Sequence, residues 1–238
     1  RELAAWRRLS HPNIAYLLGT TTGFGHLEGM VGLVSLWMKN GSLHGYMGNR
    51  SDVPLSRRLL WVKDIAEGLK YLHKHPIVHG DLTPLNVLID DDERAVLTDF
   101  GLSVILGGFT NLSVTYSDTK IGAQAWAAPE LLFDPPDGKG PNPSPSSDVY
   151  SFACLMYLFS FSSDFYRIPL VENDGVKPEW RIVRRVKDGD RPSNPGTIDT
   201  RYWSLIERCW AQQPSSRPKI SDVLAVVVRY LNDDGQKY

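Results

Sequence analysis

The chain has 238 residues, of which 42% are hydrophobic and 22% charged, a balance typical of a globular domain and not of a disordered or collagen-like chain. Lysine and arginine number 26 against 27 aspartate and glutamate, and this net charge of -1 argues against a protein that binds mainly nucleic acid or acidic lipid. The two cysteines, Cys154 and Cys209, lie in apolar sequence, which predicts buried thiols in a reducing, cytoplasmic compartment and no disulfide framework.

The N-terminal segment carries one helical pattern and two strand-like runs. Apolar residues at helical spacing predict a helix over residues 1–9 that stops before Pro12. Because the chain opens inside this pattern and not at Met, we expect it to be a fragment. Residues 14–19 and 30–38 read as strands joined by a Thr/Gly-rich turn at 20–25, which predicts a β-hairpin.

A long amphipathic segment follows. Apolar residues recur every three or four positions over 55–73, which predicts a helix of about five turns. Short apolar runs at 77–78, 87–89 and 95–98 then predict small strands that frame loops.

The second half of the chain reads as helices separated by irregular segments. Residues 107–124 and 134–147 are rich in Gly, Ser, Thr or Pro and are predicted to be mobile surface segments. Helices are predicted at 147–160, 179–186, 201–211 and 220–231. The apolar stretch 149–161 is shorter than the roughly 20 residues of a membrane-spanning helix, so no membrane span is predicted. A small sheet beside a large helical body indicates an α+β fold.

One loop carries the residues for chemistry. The sequence reads H-G-D-L-T-P-L-N over 79–86, and D-F-G follows at 99–101. This order resembles the catalytic loop and the metal-binding loop of protein kinases. The resemblance implies that Asp81 is the catalytic base and that Asn86 and Asp99 hold Mg²⁺, because phosphoryl transfer needs a base and metal ligands in one rigid cleft.

The resemblance extends over nearly the whole chain. A-P-E at 128–130, S-D-V-Y-S-F at 147–152 and a Cys-Trp pair at 209–210 fall in the kinase order. They imply a eukaryotic-type protein kinase domain of the tyrosine-kinase-like group, and a buried ion pair between Glu130 and Arg217.

The implied fold is a single kinase domain fragment with a mostly helical C-lobe and a remnant of the N-lobe sheet. By the resemblance, residues 1–37 are a partial N-lobe that starts at its helix, 38–41 are the hinge, and 42–238 are the C-lobe. The glycine-rich loop and the strand lysine of the family would lie upstream of the chain.

The resemblance also assigns a nucleotide subsite. Ser35 takes the gatekeeper position, Leu36 and Met38 offer backbone groups to adenine, and Leu88 forms the floor under the ring. Glu2 matches the helix glutamate that pairs with the strand lysine. A regulatory spine is implied at Trp6, Leu17, His79 and Phe100.

Several positions depart from the family pattern. Gly80 replaces the arginine before the base, which argues against switching by phosphorylation of the activation loop. Thr83 and Leu85 leave the catalytic loop without the cation that neutralises the phosphoryl group, and Ala123 replaces a threonine that would contact both base and lysine.

Two functions therefore stay open at this stage. One is phosphorylation of protein serine or threonine, with tyrosine kept as an alternative acceptor, using ATP and Mg²⁺ as cofactors and a protein as substrate. The other is a pseudokinase that binds partners or nucleotide without turnover. Neither reading predicts an oligomeric state.

Overall fold

A computed structural model describes residues 6–22, 31–50, 52–100, 123–132, 142–160, 178–194, 196 and 198–234 of the chain. Its strands form two antiparallel pairs, β1 (Leu17–Thr22) with β2 (Val31–Ser35) and β3 (Val87–Ile89) with β4 (Ala95–Leu97). The helices are α1 (Leu43–Gly48), α2 (Leu55–Lys74), α3 (Pro145–Phe159), α4 (Pro178–Lys187), α5 (Thr200–Cys209) and α6 (Ile220–Asp234). This helical body with small sheets confirms the predicted α+β, kinase-like fold.

Helix α2 is a central support of the helical body. One face of it is buried and packs against α3, α6 and β4. Its approach to β4 is close because residue 68 is glycine: a Cβ there would lie 2.9 Å from both the carbonyl oxygen of Asn13 and a side-chain carbon of Leu97. Gly68 therefore lets α2 lie directly against the strand that leads to the D-F-G segment.

Helix α3 begins two residues earlier than the sequence pattern predicts. Ser144 caps the helix, its hydroxyl accepting the N–H of Ser147 while the Ser147 hydroxyl accepts the N–H of Ser144, and Pro145 takes the first helical position. The prediction of a loop up to residue 147 is therefore wrong at its end, because the cap was not recognised. Residues 133–141 lie outside the described part of the chain.

The sheet boundaries also differ from the predicted ones. Strand β1 begins at Leu17 and includes the three threonines at 20–22, which were predicted as a turn. Those residues pair with 31–33, and β-branched threonine suits a strand. No strand forms at 77–78.

The helices predicted at 55–73, 179–186, 201–211 and 220–231 match the observed ones to within a few residues at each end, whereas the helix predicted over 1–9 lies mostly outside the described residues. The short helix α1 was not predicted, although Ser42 at its N-cap, whose hydroxyl accepts the N–H of Gly45, is a start signal. Both cysteines are buried and free, as predicted. None of the described helices is long and apolar enough to cross a membrane.

Candidate active site

A buried carboxylate at the start of α3 holds the catalytic loop. Asp148 is 1% exposed, and its two oxygens accept the backbone N–H groups of His79 and Gly80, each at 2.9 Å. His73 at the end of α2 lies 2.8 Å from the same carboxylate through its Nε2. The interpretation of the sequence missed this role of Asp148, although its place in the S-D-V-Y-S-F motif was a usable signal. The backbone just before Asp81 is thereby fixed to the core.

Gly80 lies in the left-handed region of backbone conformation, with φ of +76°. Glycine adopts this conformation without steric cost, whereas a residue with a Cβ is strained there. The replacement of the usual arginine by Gly80 therefore removes a cation and relaxes the turn before Asp81 as well.

Asp81 and Asn86 lie side by side in the catalytic loop. The side-chain amide of Asn86 donates to the backbone carbonyl of Asp81 at 2.8 Å and to its carboxylate at 3.1 Å. The turn between them is closed by the Asn86 N–H, which donates to the carbonyl of Thr83 at 3.0 Å. In this orientation both donors of the amide are directed at Asp81, and its oxygen is left as an acceptor.

Asp99 follows β4 and joins the same cleft. The N–H of Thr98 donates to the carbonyl of Asn86 at 3.0 Å, which ties the segment before Asp99 to the catalytic loop. The side chain of Asp99 reaches solvent, but its carboxyl group is partly buried, and this burial raises its pKa. His79 acts in the opposite direction and lowers the pKa of Asp99, whereas the nearby Asp81 carboxylate raises it. Asp99 also has a φ of +56°. The structure thus brings together Asp81, Asn86 and Asp99, the three residues that the motif predicted.

The four predicted spine residues are all buried. The ring of Phe100 lies 4.5 Å from that of Trp6 and 6.3 Å from that of His79, centroid to centroid. Leu17 is the first residue of β1 and is buried in the same core cluster. Burial lowers the pKa of His79, whose Nε2 has no hydrogen-bond partner in the part of the chain that the structure describes, so His79 is a core residue as predicted.

The residues predicted to form a nucleotide subsite fall on β2, the segment after it, and β3. Ser35 ends β2 and pairs with Leu17. The chain then turns, with the N–H of Gly41 donating to the carbonyl of Met38, and Leu88 of β3 forms a bridge with Ser42. Leu36 is exposed. Glu2, the predicted helix glutamate, lies outside the described residues.

A bidentate ion pair joins the A-P-E segment to the chain before α6. The guanidinium of Arg217 contacts both carboxylate oxygens of Glu130, at 2.7 and 2.8 Å, and the Arg217 side chain is completely buried. The predicted pair is confirmed. Because two parallel hydrogen bonds join the planar guanidinium and the carboxylate, the pair fixes how the two segments are oriented relative to each other and also stabilises their contact.

Three positions that depart from the family pattern, Thr83, Leu85 and Ala123, lie in the described part of the chain. Thr83 is buried, with 5% of its surface exposed. Leu85 is 61% exposed. Ala123 begins a 3₁₀ helix over Ala123–Trp126.

The chemistry of the donors fits a magnesium ion that also binds phosphate. Among the described residues, no group of three or more His, Cys, Asp or Glu side chains could hold a metal. Mg²⁺ needs fewer protein ligands, because it is bound by one or two carboxylates together with substrate phosphates and water. The amide oxygen of Asn86 and the carboxylate of Asp99 are hard oxygen donors of that kind.

Comparison with known proteins points to one family. Over residues 1–227 the sequence matches the protein tyrosine and serine/threonine kinases. It is 30% identical over 229 residues to the serine/threonine-protein kinase CTR1 of Arabidopsis thaliana, covering 94% of this chain and 25% of that protein. It is 27% identical over 231 residues to the serine/threonine/tyrosine-protein kinase HT1 of Arabidopsis thaliana, covering 96% and 54%.

A mammalian relative shows the same degree of similarity. The receptor-interacting serine/threonine-protein kinase 3 of Rattus norvegicus is 33% identical over 229 residues, which cover 93% of this chain and 46% of that protein. The chain thus spans between 25% and 54% of the length of these three relatives.

Proposed function

Because the chain belongs to the protein tyrosine and serine/threonine kinase family, we propose that it forms the catalytic part of a protein kinase that transfers the γ-phosphoryl group of ATP to a protein serine or threonine. Asp81 is the base, and Asn86 and Asp99 are the ligands of Mg²⁺. The observation that carries this proposal is the pair of hydrogen bonds from the Asn86 amide to Asp81, since it holds the proposed base next to the proposed metal ligand.

Each residue has a distinct task in the transfer. ATP would supply the phosphoryl group, and Asn86 and Asp99 would hold a Mg²⁺ ion whose chemistry is to offset the charge that develops on that group. The carboxylate of Asp81 accepts the proton of the attacking hydroxyl, and the Asn86 amide holds that carboxylate in place. Burial is the main cause of the raised pKa of Asp99, and the nearby Asp81 carboxylate adds to it; a divalent cation bound there would favour the ionised form of both carboxylates.

The adenine subsite and the domain limits are part of the same proposal. Ser35, Leu36, Met38 and Leu88 line the nucleotide, with residues 1–37, 38–41 and 42–238 as partial N-lobe, hinge and C-lobe. The bridge between Leu88 and Ser42 supports this, because it places the predicted floor beside the segment that follows the hinge. The acceptor is serine or threonine because CTR1 and the receptor-interacting kinase are named as serine/threonine kinases.

The proposal is tested by single-turnover transfer from labelled ATP to a generic serine/threonine peptide mixture, with the complete gene product. Asp81→Asn should lower transfer by about 10²- to 10⁴-fold, the usual contribution of a general base, with little change in ATP affinity. Asp99→Asn should abolish Mg²⁺-dependent transfer. The matched control is Asp188→Asn, an exposed aspartate after α4, which should be fully active.

A second function, nucleotide or partner binding without turnover, is favoured by the loop chemistry. Thr83 and Gly80 leave the loop without the cations that kinases usually carry there. In this case ATP with Mg²⁺ would raise the thermal stability of the protein while no phosphate reached any peptide. Transfer by the wild type that is lost in Asp81→Asn would exclude it, and unchanged transfer in both aspartate variants would refute the first proposal.

A further inference from the structure

A cavity of about 430 Å³ lies on the helical body, away from Asp81, Asn86 and Asp99. It is enclosed by the C-terminal end of α2, the first turns of α3 and the segment that enters α6. None of the catalytic-loop residues lines it. Its volume is in the range that holds a single small molecule or one large side chain.

Three lysines surround this cavity. Lys70 and Lys74 lie four residues apart, on one face of α2, and Lys219 precedes α6 on the opposite side. All three are exposed, and none forms an ion pair with a carboxylate among the described residues. Lys39 and Lys63, in contrast, lie 3.0 Å from Asp91 and Glu67. The three cavity lysines therefore add positive charge, without an ion-pair partner among the described residues, to the lining of the cavity.

The acidic groups near the cavity are already engaged. Glu130 is bound to Arg217, and Asp148 accepts from the catalytic loop. Asp222, in the first turn of α6, accepts the hydroxyl of Ser221 at 3.3 Å and does not line the cavity. Glu130 offsets Arg217, whereas Asp148 and Asp222 accept from uncharged donors and keep their charges; the three lysines outnumber these two carboxylates, so the local charge stays positive.

One wall of the cavity is rigid. Arg217 lines it, and its five N–H groups are all used, by the carboxylate of Glu130 and by the carbonyls of Ser146, Ala211 and Gln212. His73, which also lines the cavity, is bonded to Asp148. A ligand therefore meets the lysines and not these two residues, and it enters a site that is formed in advance.

The inner surface is apolar. It is formed by Pro145, Val149, Pro218 and Ile220, of which Val149 and Ile220 are buried. A small inorganic anion would leave this surface uncovered, and a neutral apolar group would leave the lysines without a partner. The best match is a ligand that carries an anionic group on an apolar, flat body.

We propose that this cavity is a docking site for a phosphotyrosine side chain of a protein, with the phosphate between Lys70, Lys74 and Lys219 and the ring on the apolar surface. Lysine ammonium groups bind phosphate as point charges, and an aromatic ring gains by burial against proline and aliphatic side chains. A membrane surface fits less well, because recognition of anionic lipid uses clusters of roughly 4–8 basic residues on a convex or flat face. The proposal does not depend on phosphoryl transfer by the catalytic loop.

The test is an NMR titration of the complete protein with three probes: phenyl phosphate, inorganic phosphate and phenol. Phenyl phosphate should bind at least roughly tenfold more tightly than either of the others, because only it satisfies both the lysines and the apolar surface. Its shift changes should map to α2, α3 and α6. A phosphotyrosine peptide should compete with it, and the same peptide without phosphate should not.

A matched pair of variants locates the site. Lys70→Gln/Lys74→Gln/Lys219→Gln should weaken phenyl phosphate binding by at least about tenfold, since each charge-assisted contact is lost. The control is a second triple variant, Lys39→Gln/Lys63→Gln/Lys187→Gln, which makes the same change in net charge away from the cavity. Its affinity for phenyl phosphate should stay within about twofold of the wild-type value. Ser221→Phe, at the exposed mouth, should weaken binding without changing the charge.

Three outcomes would overturn the proposal. They are equal losses in the two triple variants, equal affinities for phenyl phosphate and inorganic phosphate, and lysine-dependent binding to phosphatidylserine vesicles that phenyl phosphate does not displace. The last outcome would assign the cavity lysines to a membrane surface.

Discussion

The two sides of the catalytic cleft are held in different ways. On the side of the helical body, the backbone of the proposed catalytic loop is hydrogen-bonded to the buried carboxylate of Asp148. The A-P-E segment is bound through Glu130 to the buried guanidinium of Arg217. On the side of the hinge, Leu36 is exposed and Trp37 is 88% exposed. Buried charges fix the proposed catalytic segments, whereas the segment proposed to meet adenine would contribute through its backbone. Substitutions of the buried charges should therefore cost stability, and substitutions in the exposed segment should not.

Arg217→Ala should cause the largest loss of stability. It leaves the Glu130 carboxylate without its partner and three backbone carbonyls without donors, and breaking a buried pair from one side costs about 3–5 kcal/mol. Urea unfolding of the complete protein measures the loss. Arg229→Ala, an exposed arginine of α6, is the control and should change stability by less than about 0.5 kcal/mol.

Asp148→Ala should cause the second-largest loss of stability. It leaves the N–H groups of His79 and Gly80 buried without acceptors, at about 1–3 kcal/mol for each orphaned group. Asp148→Asn keeps one acceptor oxygen and should lower stability less than Asp148→Ala does. If unfolding midpoints of both variants equalled that of the wild type, the catalytic loop would need another anchor.

Asp99→Asn should stabilise the protein slightly while removing activity. The raised pKa of Asp99 means that its ionised form is disfavoured in the folded state, so the neutral amide should gain up to about 0.5 kcal/mol at neutral pH after allowance for solvent screening. Asparagine also tolerates the positive φ of this position. The gain should shrink as the pH falls through the raised pKa, because wild-type Asp99 is then neutral too. Thermal melts between neutral and acid pH, without nucleotide or metal, test the sign.

Trp37→Ala should have the smallest effect. A side chain so exposed contributes within about 0.5 kcal/mol to stability, and ATP affinity should stay within about twofold if only backbone groups near Leu36 and Met38 meet adenine. Calorimetric titration of ATP checks this. A tenfold loss of affinity would mean that the hinge side chain, and not the backbone, recognises the nucleotide.

The sequence alone was sufficient to predict which residues of the proposed catalytic loop lie together and which two form the buried ion pair. The order of Asp81, Asn86 and Asp99, and of Glu130 and Arg217, identified both, because these residues belong to short motifs whose chemistry requires fixed residue types. Periodicity located the long helix α2 nearly to the residue, since a repeat of apolar positions over five turns admits few alternatives.

Only the tertiary structure decided what supports those motifs. Asp148 lies 67 positions beyond Asp81 in the chain, and no local pattern states that its carboxylate binds the backbone of His79 and Gly80. The cavity with its three lysines is likewise assembled from α2 and the segment before α6, which are remote in sequence. Local patterns determine which groups a chain carries and which segments form helices, but long-range packing determines which of those groups meet, because contact between distant segments depends on how the helices pack.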